Sequence, residues 1–317
     1  MISTTATQDE TSTVYQHSAD RFVQLPQQTP DAVRLIRSLG LDVLLFTDLG
    51  MSVVTLALAH VKLAPRQAVL WGHPVTTGIR TMDDFLSGEL YEGPDGDDHY
   101  TERLVRLPGL QTCYPKPKLD RVYNRAEFGL PDNGTLYGCP QTLFKFHPEF
   151  DPLLQTIMDA DSDGWLVLVK GRNRHWADRL MARWRRTAPR VAERALWVPP
   201  IPRLSFIGLG GLFDVALDTP HFGGGNTTLE LLAVGTPVVT LPSPFLRSRL
   251  AAGMYQHIGL PDLVSQTADA YMNDAIRLGT DREWNRHVRS RIATSADKLF
   301  DQVDSVHAFE AYLTLYL

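Results

Sequence analysis

A run of small and polar residues, His221-Phe-Gly-Gly-Gly-Asn-Thr-Thr228, has the composition of an anion-binding loop. Its glycines carry no Cβ, so backbone amides can approach a ligand closely, and the free N–H groups of the helix that follows favour negative charge. The residues that we expect to contact the anion are Gly224, Gly225, Asn226, Thr227 and Thr228. A diphosphate suits such a loop, and Glu230 could accept hydrogen bonds from ribose hydroxyls.

The same run could also be a plain glycine-rich turn with a threonine cap. It lacks the Gly-Lys-Ser/Thr ending of a Walker loop and the spacing of a GxGxxG fingerprint, so neither common nucleotide signature applies. His73 and His221 lie beside glycines at the ends of predicted strands. Each could contact a sugar or a phosphate, or could cap a turn. Asp48, at another strand end, is a candidate acceptor-binding residue or general base, or a helix N-terminal carboxylate.

The elements that must position these residues alternate between strands and helices. Strands are predicted at 41–46, 66–71, 103–107, 135–139, 165–169, 196–198, 215–217 and 238–241, with 80–127 otherwise irregular. Helices are predicted at 30–39, 53–60, 175–187, 229–234 and 268–278. This alternation predicts parallel sheets covered on both faces, whose ligands bind at the carboxyl ends of the strands.

Composition limits the class of protein. The 317 residues suffice for two domains, and 44% hydrophobic with 21% charged residues is a globular balance. The net charge of −5 gives no general attraction to nucleic acid or to an anionic membrane. Without an apolar signal or membrane segment, we expect a cytoplasmic protein. Two cysteines, Cys113 and Cys139, are interpreted as buried thiols.

A proline-rich stretch, Cys113-Tyr-Pro-Lys-Pro-Lys118, is typical of a connection between domains. We therefore predict a disordered tail over 1–24, a partial N-terminal Rossmann-like lobe over 25–125 and a nucleotide-sugar-binding lobe over 126–317. Asp161-Ser-Asp163 has the spacing of a metal-binding Asp-x-Asp motif. Its position before Gly164 and a strand favours a turn.

Several ordered motifs resemble the O-GlcNAc transferase family, which includes the Spindly O-fucosyltransferase and bacterial relatives. The similar segments are Leu63–Gln67, Trp71–Gly78, Cys139–Pro148, His221–Thr228, Val234–Pro242, Arg247–Arg249 and Leu278–Thr280. The resemblance covers roughly residues 25–317. It implies a GT-B fold with two Rossmann-like lobes, a nucleotide-sugar donor, inversion at the anomeric carbon and no metal or other cofactor.

The resemblance also assigns roles to single residues. Lys145 matches a family lysine that neutralises the donor diphosphate, and we expect Gln141 to contact the nucleotide or its phosphates. Arg203 replaces a family lysine near the base, and Phe206 replaces a histidine beside it. Glu230 replaces a ribose-binding aspartate. Because Asn226 also stands where the family has histidine, the base and the sugar of the donor remain open.

The resemblance implies a hexosyltransferase that moves a hexose or N-acetylhexosamine, with a UDP-sugar favoured, to a protein side chain or small acceptor. We group Lys145, Asp48 and His73 as its candidate catalytic residues. The first lobe is shorter than in the family, so an inactive or partner-dependent nucleotide-sugar-binding protein is the alternative. Dimers or a partner chain could then complete that lobe. A sugar epimerase of the same two-lobe fold is a weaker reading.

Overall fold

The computed structural model describes residues 1–4, 10–171 and 173–316. The strands are β1 Ile2–Ser3, β2 Val23–Gln24, β3 Val43–Phe46, β4 Arg66–Leu70, β5 Asp84–Gly88, β6 Arg103–Leu107, β7 Leu136–Gly138, β8 Trp165–Val169, β9 Ala195–Val198, β10 Val215–Leu217 and β11 Val238–Val239. The α-helices are α1 Glu10–Ser18, α2 Thr29–Ser38, α3 Val53–Ala59, α4 Asp151–Ala160, α5 Arg174–Thr187, α6 Pro189–Arg194, α7 Arg203–Leu212, α8 Asn226–Ala233, α9 Leu250–His257, α10 Ala268–Thr280, α11 Arg282–Ser295 and α12 Val303–Thr314. Within these described ranges, no helix combines the length and apolar character that crossing a membrane requires.

The chain divides into two compact units. The first unit comprises Met1–Gly88, Pro94–Leu107 and His307–Leu317, and the second comprises Glu89–Gly93 and Pro108–Val306. The predicted division had a single boundary between residues 125 and 126. The structure differs from it because the last residues of the chain belong to the same unit as the first residues. The predicted disordered tail, 1–24, holds β1, α1 and β2, while its residues 5–9 lie outside the described residues.

The sheet of the first unit has four parallel strands in the order β3-β4-β5-β6. The connection from β3 to β4 carries α3, whereas the next two connections are loops, the second with a 3-10 turn. Tyr312 of α12 packs in a buried cluster with Ala68, Leu86 and Leu107 from β4, β5 and β6. The end of α12 thus covers sheet surface that crossover helices cover in other parallel sheets.

A buried carboxylate ties these elements together. Asp84 of β5 has no exposed surface, and its oxygens accept hydrogen bonds from Arg66 (2.6 Å), Arg103 (2.7 Å) and the hydroxyl of Tyr312 (2.6 Å). Burial raises the pKa of Asp84, but these hydrogen bonds outweigh it, and the net pKa lies below the ordinary value. Asp84 is therefore held charged at the junction of three strands and a helix.

The sheet of the second unit has five parallel strands in the order β11-β10-β7-β8-β9. The chain runs outward from β7 through β8 to β9 and then returns to the opposite side of β7 for β10 and β11. Between β7 and β10 the strand order therefore reverses. Ligands of open α/β sheets bind outside the carboxyl ends of the strands at such a switch point.

Sequence and structure also differ in β5 and at one cysteine. Strand β5 lies in the segment predicted to be irregular; all five of its residues are buried, so it shows no alternation of polar and apolar residues. Cys139 is buried as predicted, but the prediction for Cys113 is wrong, because this thiol is exposed on the proline-rich connection. Asp161 and Asp163 occupy a turn between α4 and β8, as predicted.

Candidate functional site

Two segments leave the carboxyl ends of β7 and β10, the strands that flank the switch point of the second unit. The segment after β7 carries Gln141 and Lys145, and the segment after β10 runs from Asp218 to α8, which begins at Asn226. Predicted donor-binding residues thus occupy the two segments that the topology brings together.

Lys145 joins the two segments. Its ammonium nitrogen donates to the carbonyl oxygen of Gly223 at 2.8 Å and to Oε1 of Gln141 at 3.1 Å, and lies 4.4 Å from the ring centroid of Phe222. Burial lowers the pKa of Lys145, and the nearby carboxylate of Asp218 opposes this shift. The lysine is a fixed donor at the edge of the glycine loop, where it can meet an anion.

At two positions of the glycine loop, a side chain would fit only if a neighbouring side chain moved. An ideal Cβ on Gly223 would lie 2.6 Å from Oδ2 of Asp218, and one on Gly224 would lie 2.4 Å from Nε2 of Gln141. At Gly225, the N-cap of α8, the nearest atom would be 3.4 Å away, an ordinary contact distance. Close packing by Asp218 and Gln141 therefore explains two of the three glycines.

Asp218 holds the loop in shape. It is 3% exposed; Oδ1 accepts from the backbone N–H of Gly224 at 2.7 Å and Oδ2 from the hydroxyl of Thr240 at 3.0 Å. Burial raises the pKa of Asp218 to about 6, although these hydrogen bonds and Lys145 act in the opposite direction. Asp218 was not among the predicted site residues; its position at the end of β10, five residues before Gly223, was the available signal.

The residues that open α8 differ in exposure. Asn226 is exposed, Thr227 is half-buried and Thr228 is buried. The hydroxyl of Thr228 donates to the carbonyl oxygen of Gly224 at 2.9 Å, so this side chain stabilises the loop. A bound anion would meet Thr228 through its backbone N–H, one of those that a helix N-terminus leaves unpaired.

Glu230 and Arg203, predicted separately, form one hydrogen-bonded group with Tyr114. Oε1 of Glu230 accepts from Nε of Arg203 at 2.9 Å and from the hydroxyl of Tyr114 at 2.9 Å, and Arg203 also donates to that hydroxyl at 2.7 Å. Phe206 lies half-buried in the first turn of α7, three residues after Arg203. Tyr114, which lies in the proline-rich connection, was not among the predicted site residues.

His221 lies in a cluster that the sequence analysis did not foresee. Its Nε2 is 3.0 Å from Oε2 of Glu149, and its ring centroid is 4.0 Å from that of His147. Burial lowers the pKa of His221, His147 adds to this shift, and Glu149 acts in the opposite direction. Contact of His221 with a sugar or phosphate stays a prediction.

Asp48 and His73 belong to the first unit, at the carboxyl ends of the adjacent strands β3 and β4. An ideal Cβ on Gly50 would lie 2.7 Å from Cδ2 of His73, and one on Gly72 would lie 3.3 Å from Cβ of Asp48. His73 therefore lies against Gly50, and Asp48 lies beside Gly72. Their catalytic roles stay predictions.

Comparison with known proteins adds a family. The sequence model of glycosyl transferase family 41 matches residues 110–308. The chain is 28% identical over 192 residues to the UDP-N-acetylglucosamine–peptide N-acetylglucosaminyltransferase of Caenorhabditis elegans, covering 60% of this chain and 16% of that protein. It is 28% identical over 223 residues to the SPINDLY protein of Arabidopsis thaliana, covering 69% of this chain and 24% of that protein. The chain therefore spans less than a quarter of either relative.

Solved structures agree with this result. A mutant of the Thermobaculum terrenum O-GlcNAc transferase superposes with a TM-score of 0.87 and 27% identity, covering 99% of this chain and 61% of that one. A Burkholderia xenovorans trehalose-phosphate synthase, with a TM-score of 0.57, 12% identity and coverage of 89% and 75%, shares the fold alone. The predicted GT-B class with parallel Rossmann-like sheets is confirmed.

Proposed function

Because this chain belongs to glycosyl transferase family 41, we propose that it transfers a sugar from a nucleoside diphosphate to an acceptor hydroxyl or amide. The observation that carries the proposal is the lysine-bound glycine loop at the switch point of the second unit, where Lys145 lies 2.8 Å from the carbonyl of Gly223. A diphosphate on the N–H groups at the start of α8 would meet that ammonium directly.

The chemistry requires positive charge where the nucleotide leaves. The bond between the anomeric carbon and the β-phosphate oxygen breaks, its electrons stay on the diphosphate, and the acceptor atom bonds to the opposite face of that carbon, which inverts it. The acceptor's proton passes to a base. Lys145 stabilises the charge that develops on the leaving group, so the proposed reaction needs no metal ion at that position.

We propose that the groups around α8 bind the rest of the donor. Glu230, oriented by Arg203 and Tyr114, is the proposed partner of the ribose hydroxyls, and Phe206 on α7 is the proposed neighbour of the base. The name of the Caenorhabditis elegans relative specifies a UDP-N-acetylglucosamine donor and a peptide acceptor. We therefore propose a UDP-sugar as donor, with a protein side chain or a small molecule as acceptor.

We propose that residues of the first unit serve the acceptor. Asp48 is the proposed general base or acceptor-binding residue, and His73 is proposed to contact the acceptor or the sugar. Both residues follow parallel strands at the edge where α/β sheets bind ligands.

A thermal-shift titration with UDP, GDP, UDP-glucose, UDP-N-acetylglucosamine and GDP-fucose tests the donor site. A ligand that binds the folded state raises the melting temperature by linkage. We expect the uridine nucleotides to stabilise the wild type and Lys298→Ala, an exposed lysine on the same unit, but not Lys145→Ala. Equal responses from all three proteins, or none at millimolar nucleotide, would overturn the proposed donor site.

A second measurement separates a transferase from a binding protein. UDP release from the stabilising UDP-sugar, measured with candidate peptide and small-molecule acceptors, is expected to depend on the acceptor and to persist in excess EDTA. Donor binding without acceptor-dependent release would favour the nucleotide-sugar-binding alternative. Loss of release in EDTA would overturn the metal-free mechanism.

A further inference from the structure

Three side chains with metal-binding atoms converge beside the glycine loop. His147, Glu149 and His221 each offer one ligand atom, and all three atoms lie within 4.8 Å of one another. Oε2 of Glu149 is 3.0 Å from Nε2 of His221 and 3.9 Å from Nδ1 of His147. Four-coordinate zinc, with bonds of about 2.0–2.1 Å to nitrogen, separates its ligand atoms by roughly 3.4 Å. The observed separations lie on both sides of this value.

We propose that His147, Glu149 and His221 form a binding site for a divalent transition metal ion of the zinc type. Two imidazoles and one carboxylate are a ligand set that zinc accepts, and three protein ligands leave a coordination position for water. Water can reach that position because the cluster is exposed: the side chains of His147, Glu149 and His221 are 48%, 73% and 39% exposed.

Backbone hydrogen bonds hold the chain under the cluster, so binding an ion requires ordering chiefly of the three side chains. The N–H of His147 donates to the carbonyl of Lys145 at 2.9 Å, and Nε of Arg247 donates to the carbonyl of His221 at 3.1 Å. The N–H of Glu149 approaches Nδ1 of His147 at 3.3 Å, a long hydrogen bond that an ion on this nitrogen can displace.

The site couples two segments of the second unit. His147 and Glu149 follow Lys145, while His221 precedes Gly223, whose carbonyl accepts the lysine's hydrogen bond. A bound ion therefore restrains the glycine loop through side chains that lie outside it. The proposal does not rest on the proposed transfer reaction, and no step of that reaction passes through the ion.

Cobalt(II) provides a spectroscopic test, because histidine-ligated cobalt of low coordination number absorbs visible light more strongly than the hydrated ion. The experiment uses tag-free full chain in a Cys113→Ser background, since the exposed thiol of Cys113 could bind metal itself. Glu149→Gln and His221→Ala remove ligands. Glu193→Gln makes the same change at another exposed glutamate of the second unit, whose side chain is 63% exposed.

We expect one cobalt ion per chain, with an absorption band that zinc displaces, and zinc binding in competition with a coloured chelator. Glu149→Gln and His221→Ala should weaken binding by at least about tenfold, while Glu193→Gln binds like the parent. Circular dichroism of each variant establishes that it is folded. Absence of the band, more than one equivalent site, or unchanged affinity in folded Glu149→Gln would overturn the proposal.

Discussion

Two buried aspartates, one in each unit, have opposite electrostatic behaviour. Asp84 in the first unit meets two guanidinium groups and a tyrosine hydroxyl, and its pKa is lowered. Asp218 in the second unit accepts from a backbone N–H and a threonine hydroxyl, and burial raises its pKa to about 6. The two carboxyl groups are similarly buried, so their hydrogen-bonding partners decide the direction of the pKa shift.

The difference distinguishes a structural carboxylate from one beside the proposed donor site. Asp84 has its opposite charges already in place, so the network is complete within the first unit. Asp218 lies against the glycine loop and near Lys145, a cation that the proposed donor would also bind. Perturbed carboxyls of the second kind are typical of functional sites, where charges are arranged for a ligand.

The largest expected effect is on the first unit. Asp84→Asn removes the charge that balances Arg66 and Arg103 and disrupts hydrogen bonds to a buried carboxylate, each of which contributes about 1.5–3 kcal/mol to the free energy of unfolding. Amide hydrogen exchange of β5 measures the change within this unit. Asp97→Asn, which removes the exposed partner of Arg106, is the control and should leave exchange nearly unchanged. Equal effects of the two substitutions would remove the contrast between Asp84 and a surface carboxylate.

The next effect is a pH dependence of the second unit. Asp218 binds its proton more tightly in the folded state, so it stabilises the fold most below its ordinary pKa of 3.8. This contribution, about 3 kcal/mol, is lost as the pH rises to about 6. We expect the free energy that protects β10 amides from hydrogen exchange to fall by this amount between these two pH values, relative to Asp218→Asn. Asp84 acts with the opposite sign, because its contribution is lost on acidification. Parallel pH profiles for wild type and Asp218→Asn would contradict the assignment.

The smallest effect tests how closely Asp218 and Gln141 pack on the loop. A Cβ at Gly224 would lie 2.4 Å from Gln141, whereas the nearest atom to one at Gly225 is 3.4 Å away. Gly224→Ala should therefore cost about 1–3 kcal/mol of stability and abolish the response to uridine nucleotides. Gly225→Ala should retain most of the stability and most of the nucleotide response. Urea titration and nucleotide thermal shifts of the two variants measure these effects. If Gly225→Ala were more damaging than Gly224→Ala, lack of space would not explain the glycines at positions 223 and 224.

The contrast between the two units also shows which features the sequence could predict. The glycine loop and most strands were predictable because their signals are local: glycine runs, capping residues and short apolar stretches at strand ends. Lys145 was selected through the resemblance of its motif to the family. Strand β5 was not, since Asp84 and Ser87 are polar residues on a fully buried strand. The arginines that make Asp84 tolerable there lie 18 and 19 residues away, and the tyrosine 228 residues away.

The site shows the same limit. Arg203 and Glu230 were predicted separately, but their pairing through Tyr114 depends on a contact 116 residues apart in sequence. The cluster of His147, Glu149 and His221 depends likewise on the meeting of two distant segments. Patterns along one chain identify residue types suited to a ligand, whereas burial and pairing come from the three-dimensional arrangement.

The pairing of Asp84 with Tyr312 has a consequence for how the protein is made. The strands β3 to β6 leave the ribosome long before the helix that covers them, because 228 residues separate these two partners. Until α12 is synthesised, the face of this sheet that holds Ala68, Leu86 and Leu107 lacks its cover. The second unit can complete its own sheet first, since all of its strands precede α12. We therefore expect the first unit to finish folding after the second, with an apolar sheet face that chaperones can bind during synthesis.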